Sequence, residues 1–144
     1  MKISEILKNK GPEVFTIGED KTLDEALKIL VLNKIGVLIV LNYEGKISGI
    51  ISERDIIRAS YDNPVDYRNL NVSEFMTKNV VIVEPEDSID YAENIMTQNR
   101  FRHIPVINNK RLVGIISLGD IVKAQLTETR FENKYLKDYI SGVQ

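Results

Sequence analysis

The sequence predicts an α+β fold made of two β-α-β-β-α units, whose small sheets pack together around a pseudo-twofold axis. The first observation is that the pattern Gly-Ile-Ile-Ser-x-x-Asp occurs twice, at residues 49–55 and 114–120. The second is that the helical segment at 22–26 returns 66 residues further on, at 88–92. The third is that each copy places a helical apolar pattern ahead of two β-rich runs. One unit alone leaves a face of its sheet bare, so we expect the two sheets to cover each other.

The repeat sets the predicted domain boundaries. The first repeat, with an N-terminal lead helix, spans residues 1–60, and the second spans 71–125. The intervening stretch 61–70 is rich in Asp, Asn and Pro and is predicted to be a linker. Residues 126–144 are predicted to form a C-terminal amphipathic helix, with Phe131, Tyr135, Leu136, Tyr139 and Ile140 at helical spacing. That helix either covers the core of the domain itself, forms a dimer contact or binds a partner.

Within each repeat the elements follow in a fixed order. A lead helix (3–7 and 72–76) precedes a brief extended piece (14–17 and 80–83). Thr22 and Ser88 are residue types that cap the start of a helix, and apolar residues follow both at helical spacing. Two strands come next, at 37–41 and 46–51 in the first repeat and at 104–107 and 111–116 in the second. These strands are apolar without clean alternation, as expected of strands covered on both faces.

Bulk properties exclude several classes of protein. The formal net charge is −2 with both signs interspersed, so no basic face for nucleic acid is expected. The apolar run from Ile35 to Tyr43 is too short to cross a membrane. The absence of cysteine fits a reducing compartment, and the start of the chain lacks the apolar run of a signal peptide. We therefore expect a cytoplasmic protein that binds neither nucleic acid nor membrane.

The repeated motif suits a nucleotide. Ser52 and Ser117 stand at the N-cap position of the closing helices, and Asp55 and Asp120 stand at N3. A helix start offers unpaired backbone N–H groups and a partial positive charge to a phosphate, and a carboxylate accepts hydrogen bonds from a ribose diol. The alternative is that Ser-x-x-Asp is simply a capping pair.

The doubled motif, together with Arg102-His103-Ile104-Pro105-Val106 at the second hairpin, resembles a tandem pair of CBS domains, the Bateman module named after cystathionine β-synthase. The resemblance covers residues 1–125, and with no catalytic domain attached the chain looks like a stand-alone pair. It implies an adenosine ligand in the cleft between the repeats, a flat disc-like homodimer and an unidentified client protein.

The resemblance also implies residue roles. It implies ribose and phosphate contacts from Ser52, Arg54, Asp55, Arg102, His103, Ser117 and Asp120. It implies adenine-pocket walls from Thr16, Ile17, Gly36, Val37, Thr77, Ile82, Val83, Ile104 and Pro105. The first repeat departs from the pattern, because Gly36 and Val37 replace the basic pair and Ile39 replaces Pro105.

We therefore expect a regulatory sensor of an adenine nucleotide of the AMP, ADP or ATP class, which signals to a partner. Two alternatives stay open: an interaction or dimerisation module with vestigial clefts, and an S-adenosylmethionine sensor. The single histidine and the absence of glycine-rich phosphate loops disfavour an enzyme and a histidine-based metal site. No metal and no required cofactor are expected, and the nucleotide is a regulatory ligand.

Overall fold

The computed structural model describes residues 1–140, apart from the side chains of Phe131, Tyr135, Asp138, Tyr139 and Ile140. The helices are α1 (Ile3–Lys10), α2 (Leu23–Asn33), α3 (Glu53–Asp62), α4 (Val72–Phe75), α5 (Ile89–Asn99) and α6 (Leu118–Ile140), with a short 3-10 helix at Tyr67–Asn69. The strands are β1 (Thr16–Gly18), β2 (Val37–Leu41), β3 (Ile47–Ser52), β4 (His103–Asn108) and β5 (Arg111–Ser117). The structure is thus α+β, as the sequence predicts.

The chain divides into two compact units. The repeat-1 unit is Glu13–Ile82, and the repeat-2 unit combines Met1–Pro12 with the chain from Val83 onward. Each unit therefore takes its short lead helix from the other repeat: α1 belongs to the repeat-2 unit and α4 to the repeat-1 unit. The compact units are consequently not the contiguous segments 1–60 and 71–125 of the sequence repeat.

The repeat-1 unit holds a three-stranded sheet in the order β1-β2-β3. Strand β1 runs parallel to β2, and β2 pairs antiparallel with β3, with a register shift at Val40. Its core joins this sheet to α2, α3 and α4 through buried side chains that include Leu23, Leu38, Ile51 and Val72. This is the predicted β-α-β-β-α order.

The repeat-2 unit holds a two-stranded antiparallel sheet, β4-β5. The segment predicted to be extended, 80–83, contributes one parallel bridge from Val83 to Val106 instead of a strand. The Val83 N–H donates to the Pro105 carbonyl at 3.1 Å, and its own carbonyl accepts from Ile107 at 2.9 Å. The core combines α1 with α5, α6 and the hairpin, through residues such as Ile3, Ile104, Ile116 and Ile121.

Predicted helix caps are present. Thr22 accepts from the Glu25 N–H, and the Glu25 carboxylate accepts from the Thr22 N–H, which forms a full capping box. Ser88 accepts from the Tyr91 N–H alone. No described helix is long and apolar enough to span a membrane.

The C-terminal helix is not a separate element. Helix α6 runs without interruption from Leu118 to Ile140, so the boundary predicted at 126 falls inside it. Of the apolar positions predicted on its last turns, Leu136 is exposed, with 55% of its surface accessible. The side chains of Phe131, Tyr135, Tyr139 and Ile140 lie outside the described residues.

Candidate functional site

The start of α6 is built by the β4-β5 hairpin. His103 lies opposite Ser117 in the register of the two strands, which places the strand start beside the helix start. The Leu118 N–H donates to the Arg102 carbonyl at 2.9 Å, so the backbone of Arg102 is fixed to the first turn of α6. The Asp120 N–H donates to Ser117 Oγ at 3.0 Å, and the Ser117 N–H donates to Asp120 Oδ2 at 2.8 Å. Ser117 and Asp120 thus form a reciprocal cap.

The start of α3 has the same construction in the repeat-1 unit. Val37 lies opposite Ser52, and the Glu53 N–H donates to the Gly36 carbonyl at 2.9 Å. The Ser52 N–H donates to Asp55 Oδ2 at 2.8 Å, and the Asp55 N–H donates to Ser52 Oγ at 3.4 Å. Both predicted serine–aspartate pairs are therefore capping pairs, as one of the sequence interpretations held. In each pair, Oδ2 of the aspartate accepts a hydrogen bond from the backbone N–H of the capping serine.

Asp120 has an additional partner that Asp55 lacks among the described residues. Lys10, the last residue of α1, donates from Nζ to Asp120 Oδ2 at 2.7 Å and to the Ile115 carbonyl at 2.9 Å. Burial works to raise the pKa of the Asp120 carboxyl, but the Lys10 and Ser117 hydrogen bonds and the Lys10 charge outweigh it. The net result is a lowered pKa, so Asp120 is ionised at neutral pH.

Lys10 occupies a place that backbone fills in the other unit. There the Ile50 N–H donates to the Thr77 carbonyl at 3.0 Å, and the Thr77 N–H donates back to the Ile50 carbonyl at 2.8 Å. Ile50 and Ile115 are equivalent in the sequence repeat. The Ile115 carbonyl therefore accepts from the Lys10 ammonium, whereas the equivalent Ile50 carbonyl accepts from the Thr77 backbone N–H. The ammonium also brings a positive charge to Asp120, which a backbone N–H does not bring to Asp55.

A cavity of about 790 Å³ opens beside the start of α6 in the repeat-2 unit. Its walls are Arg102, His103, Ser117, Leu118, Gly119, Val122, Lys123, Leu126, Thr127 and Arg130. The predicted phosphate residues Arg102, His103 and Ser117 are thus together, and the structure adds two cations that sequence reasoning missed, Lys123 and Arg130. The Asp120 carboxylate is turned toward Lys10 and does not line this cavity, so Ser117 is the residue that links the two.

The corresponding place in the repeat-1 unit contains a carboxylate, because Glu53 stands at the position equivalent to Leu118. Where the second repeat has Arg102, the first has Gly36, and the Glu53 side chain lies against that glycine. A β-carbon on Gly36 would stand 3.4 Å from Glu53 Oε1. The predicted residue Arg54 is exposed on the first turn of α3. A phosphate placed over Gly36 would therefore meet a carboxylate, and the two helix starts are electrostatically unequal.

The predicted adenine walls fall into different environments. Ile17 lies in the repeat-1 core, and Val83 and Ile104 lie in the repeat-2 core. Their side chains pack inside their own units, which leaves their backbone as the part that can border a ligand. Thr77 and Ile82 are exposed, and Pro105 is buried.

Thr16 and Ile17 line a second cavity, of about 710 Å³, in the repeat-1 unit. Its other walls include Lys21 between β1 and α2, Lys28 on α2 and Tyr43 in the turn between β2 and β3. Ser52 and Asp55 are not among them. The structure therefore does not join these two predicted walls to the predicted ribose and phosphate residues within that unit.

Comparison with known proteins identifies the class to which this fold and helix-start geometry belong. The CBS domain family profile matches residues 3–62 and 72–127. The chain therefore belongs to the CBS-domain family and contains two CBS repeats. It is 34% identical over 148 residues to the mitochondrial CBS domain-containing protein CBSX3 of Arabidopsis thaliana, covering 97% of this chain and 72% of that protein.

Solved structures of CBS-domain proteins superpose well on this chain. A CBS-domain containing protein from Agrobacterium tumefaciens superposes with a TM-score of 0.82 at 41% identity, covering 86% of this chain and 92% of that one. The CBS domain pair of protein MJ0100, solved with 5′-methylthioadenosine and S-adenosyl-L-methionine, gives 0.78 at 26% identity, covering 89% and 98%. A hexameric CBS-CP12 protein from bloom-forming cyanobacteria gives 0.74 at 34% identity, covering 85% and 69%.

Relatives also include an enzyme, but only over its CBS region. Inosine-5′-monophosphate dehydrogenase of Methanocaldococcus jannaschii is 32% identical over 112 residues, which is 77% of this chain and 21% of the enzyme. That match therefore carries no information about the catalytic part of the dehydrogenase.

Proposed function

We propose that this chain is a regulatory module that binds an adenine nucleotide at the start of α6 and signals its occupancy to a partner protein. The observation that carries the proposal is the reciprocal Ser117–Asp120 cap, which stands between a basic cavity and Lys10. Ligand binding regulates by favouring one state of the module over another, to the extent that the ligand prefers that state.

The basic cavity supplies what a phosphate needs. Arg102 offers a planar fork of N–H donors, which matches two phosphate oxygens. Lys123 and Arg130 add positive charge along the same wall, and the N-terminal turn of α6 adds its partial charge. His103 lines the same cavity and so lies on the wall that a bound phosphate would face.

Asp120 supplies the ribose contact in this proposal. An ionised carboxylate has about four acceptor positions, and its partners Ser117 and Lys10 both bind Oδ2. Oδ1 therefore remains as the acceptor for a diol. Asp55 offers the same chemistry at the start of α3, but Glu53 opposes a phosphate there. We propose that the Asp120 half-site is the stronger of the two.

The proposed function is that of a binding module and not of an enzyme. In this proposal the single histidine, His103, belongs to the wall of the phosphate cavity and has no catalytic role. The nucleotide is accordingly a regulatory ligand and not a required cofactor, and no metal takes part.

S-adenosylmethionine is the second candidate ligand. The observation that favours it is the MJ0100 pair, which was solved with S-adenosyl-L-methionine and 5′-methylthioadenosine. The sulfonium of S-adenosylmethionine is cationic, however, and the Asp120 half-site of this chain lies between Lys10 and the basic cavity. Electrostatics therefore favours an anionic nucleotide over this candidate.

Isothermal titration calorimetry tests the proposal with AMP, ADP, ATP and S-adenosylmethionine. We expect binding of at least one phosphorylated nucleotide, weakened roughly tenfold or more by Asp120→Asn, because a charged hydrogen-bond acceptor is lost. The matched control is Asp55→Asn, which makes the same change at the start of α3 and should weaken binding less. If none of the four ligands gives heat or a thermal shift, the proposed function is wrong.

We further propose that the module acts as a homodimer. Helix α3 exposes the apolar side chains of Ile57 and Tyr61, neither of which lines the basic cavity. Burying such side chains between two copies would be favourable. Sedimentation velocity should show a dimer that Ile57→Glu and Tyr61→Glu dissociate. A monomer in the wild type would contradict this proposal without affecting nucleotide binding.

A further inference from the structure

We infer that Lys10 sets the charge preference of the Asp120 half-site, so that this half-site selects an adenosine ligand with an anionic 5′ substituent over one with a cationic sulfonium. The inference rests on the proposed function and names the ligand class more narrowly. It starts from one contact, the 2.7 Å ion pair between Lys10 Nζ and Asp120 Oδ2.

Lys10 is held in place by its partners. Its ammonium donates to the Asp120 carboxylate and to the Ile115 carbonyl, so it uses two of its three N–H donors among the described residues. The two acceptors lie on β5 and on the first turn of α6, within the repeat-2 unit. The ammonium is therefore a fixed positive charge beside the proposed ribose acceptor.

The ion pair is partly shielded from water. The side chains of Lys10 and Asp120 expose 33% and 22% of their surface. A charge in such a setting is screened by salt less than a fully exposed one, although it is not buried. Its field therefore acts on a ligand that enters beside Asp120.

A diol does not need to displace Lys10. Ser117 and Lys10 both occupy Oδ2 of Asp120, so a ribose can donate to Oδ1 while the ammonium stays. A phosphate attached to that ribose is attracted by the charge of the ammonium. A sulfonium at the same position is repelled, and a neutral nucleoside experiences neither effect.

The repeat-1 unit provides an internal contrast. At its start of α3 the lead segment contributes the backbone of Thr77, and no lysine bonds the Asp55 carboxylate among the described residues. Glu53 adds a negative charge beside Gly36. The charge preference should therefore belong to the half-site that contains Lys10.

The experiment is calorimetric titration of the full chain with adenosine, AMP and S-adenosylmethionine, compared among wild type, Lys10→Met, Lys10→Arg and Lys8→Met. Lys8 lies exposed on the same helix, so Lys8→Met removes the same charge without touching Asp120. We expect Lys10→Met to lower the ratio of AMP affinity to S-adenosylmethionine affinity roughly tenfold, because the charge attracts one ligand and repels the other. Lys10→Arg should keep the ratio, and Lys8→Met should leave it near the wild-type value.

Each outcome decides the inference. An unchanged ratio in Lys10→Met, with binding intact, overturns it and leaves the proposed function standing. An equal loss for adenosine, AMP and S-adenosylmethionine also overturns it, because Lys10 would then only orient Asp120. Absence of binding by the wild type overturns the proposed function and this inference with it. Circular dichroism on each variant confirms that the fold is retained.

Discussion

Leu7 packs so closely over Gly114 that a β-carbon on the glycine would lie 2.6 Å from Leu7 Cδ2. Met76 and Gly49 repeat this relationship in the other unit, where the β-carbon would lie 2.6 Å from Met76 Sδ and 2.8 Å from the Thr77 carbonyl oxygen. The glycine that opens each Gly-Ile-Ile-Ser motif therefore leaves room for a side chain from a lead helix segment to pack closely against the strand. It serves packing, and the serine and aspartate that follow it form the helix start.

Replacing either glycine with alanine should destabilise the protein, and Gly49→Ala should cost more than Gly114→Ala. At Gly49 the added methyl meets a backbone oxygen, which cannot move without shifting the Ile50–Thr77 bridge. At Gly114 it meets only the end of the flexible Leu7 side chain. Overpacking of this kind costs about 1–3 kcal/mol, so the two changes should fall at opposite ends of that range.

Urea unfolding followed by circular dichroism measures both glycine variants. A suitable control is Gly45→Asn in the β2–β3 turn, where φ is +80° and nothing lies within 4 Å of an added β-carbon. Asparagine tolerates that backbone conformation better than other residues with a side chain. Equal midpoints for Gly49→Ala and wild type would contradict the assigned packing.

The Lys10–Asp120 ion pair should make stability depend on pH. The folded pKa of Asp120 lies below its unfolded value, so the unfolded chain binds the proton more readily. The pair therefore stabilises the fold above about pH 4 and loses this effect as the pH falls through the folded pKa. Because both side chains are partly exposed, we expect Lys10→Met to cost only about 0.5–1 kcal/mol at pH 7.

Urea denaturation at pH 7 and at pH 3 checks the ion pair. The difference in unfolding free energy between wild type and Lys10→Met should shrink at the lower pH, and Lys8→Met should show no such change. A difference that persists undiminished at pH 3 would show that the lysine stabilises α1 by packing and not through the carboxylate.

Arg102 should contribute to phosphate binding and not to nucleoside binding. We expect Arg102→Gln to weaken AMP roughly tenfold and to leave adenosine within about twofold, since a charge-assisted pair to phosphate is lost. Arg102→Lys should recover only part of the loss, because an ammonium lacks the planar fork. Titrations at two salt concentrations should show a smaller salt dependence for Arg102→Gln. Equal losses for AMP and adenosine would contradict the assigned role.

Much of the fold could be predicted from local sequence patterns. The doubled motif, the caps at Thr22 and Ser88 and the β-rich runs identified both hairpins and the helices that surround them. These features are local, because a cap or a hairpin is decided by residues a few positions apart. The register that places His103 opposite Ser117 follows from the same local chemistry.

Contacts between residues far apart in the sequence could not be predicted from such patterns. Lys10 aligns with Asn79 of the second repeat, so comparing the repeats gave it no special role. Its contact with Asp120 joins residues 110 positions apart and exists because α1 packs in the repeat-2 unit. Glu53 was likewise overlooked, although its place at the start of α3, directly after Ser52, was a usable signal. A carboxylate there, in a repeat that lacks the Arg102 equivalent, indicates a weaker phosphate site.

Glu53 should be the residue that keeps the Asp55 half-site weak toward anions. We expect Glu53→Gln, made together with Asp120→Asn, to strengthen AMP binding roughly threefold over Asp120→Asn alone, because the repulsion beside Gly36 is removed at constant shape. Adenosine binding should change little, since it carries no phosphate. The matched control is Glu44→Gln, which removes an exposed carboxylate in the β2–β3 turn of the same unit. If Glu44→Gln strengthens AMP as much as Glu53→Gln does, the effect reflects net charge, and the local repulsion assigned to Glu53 is wrong.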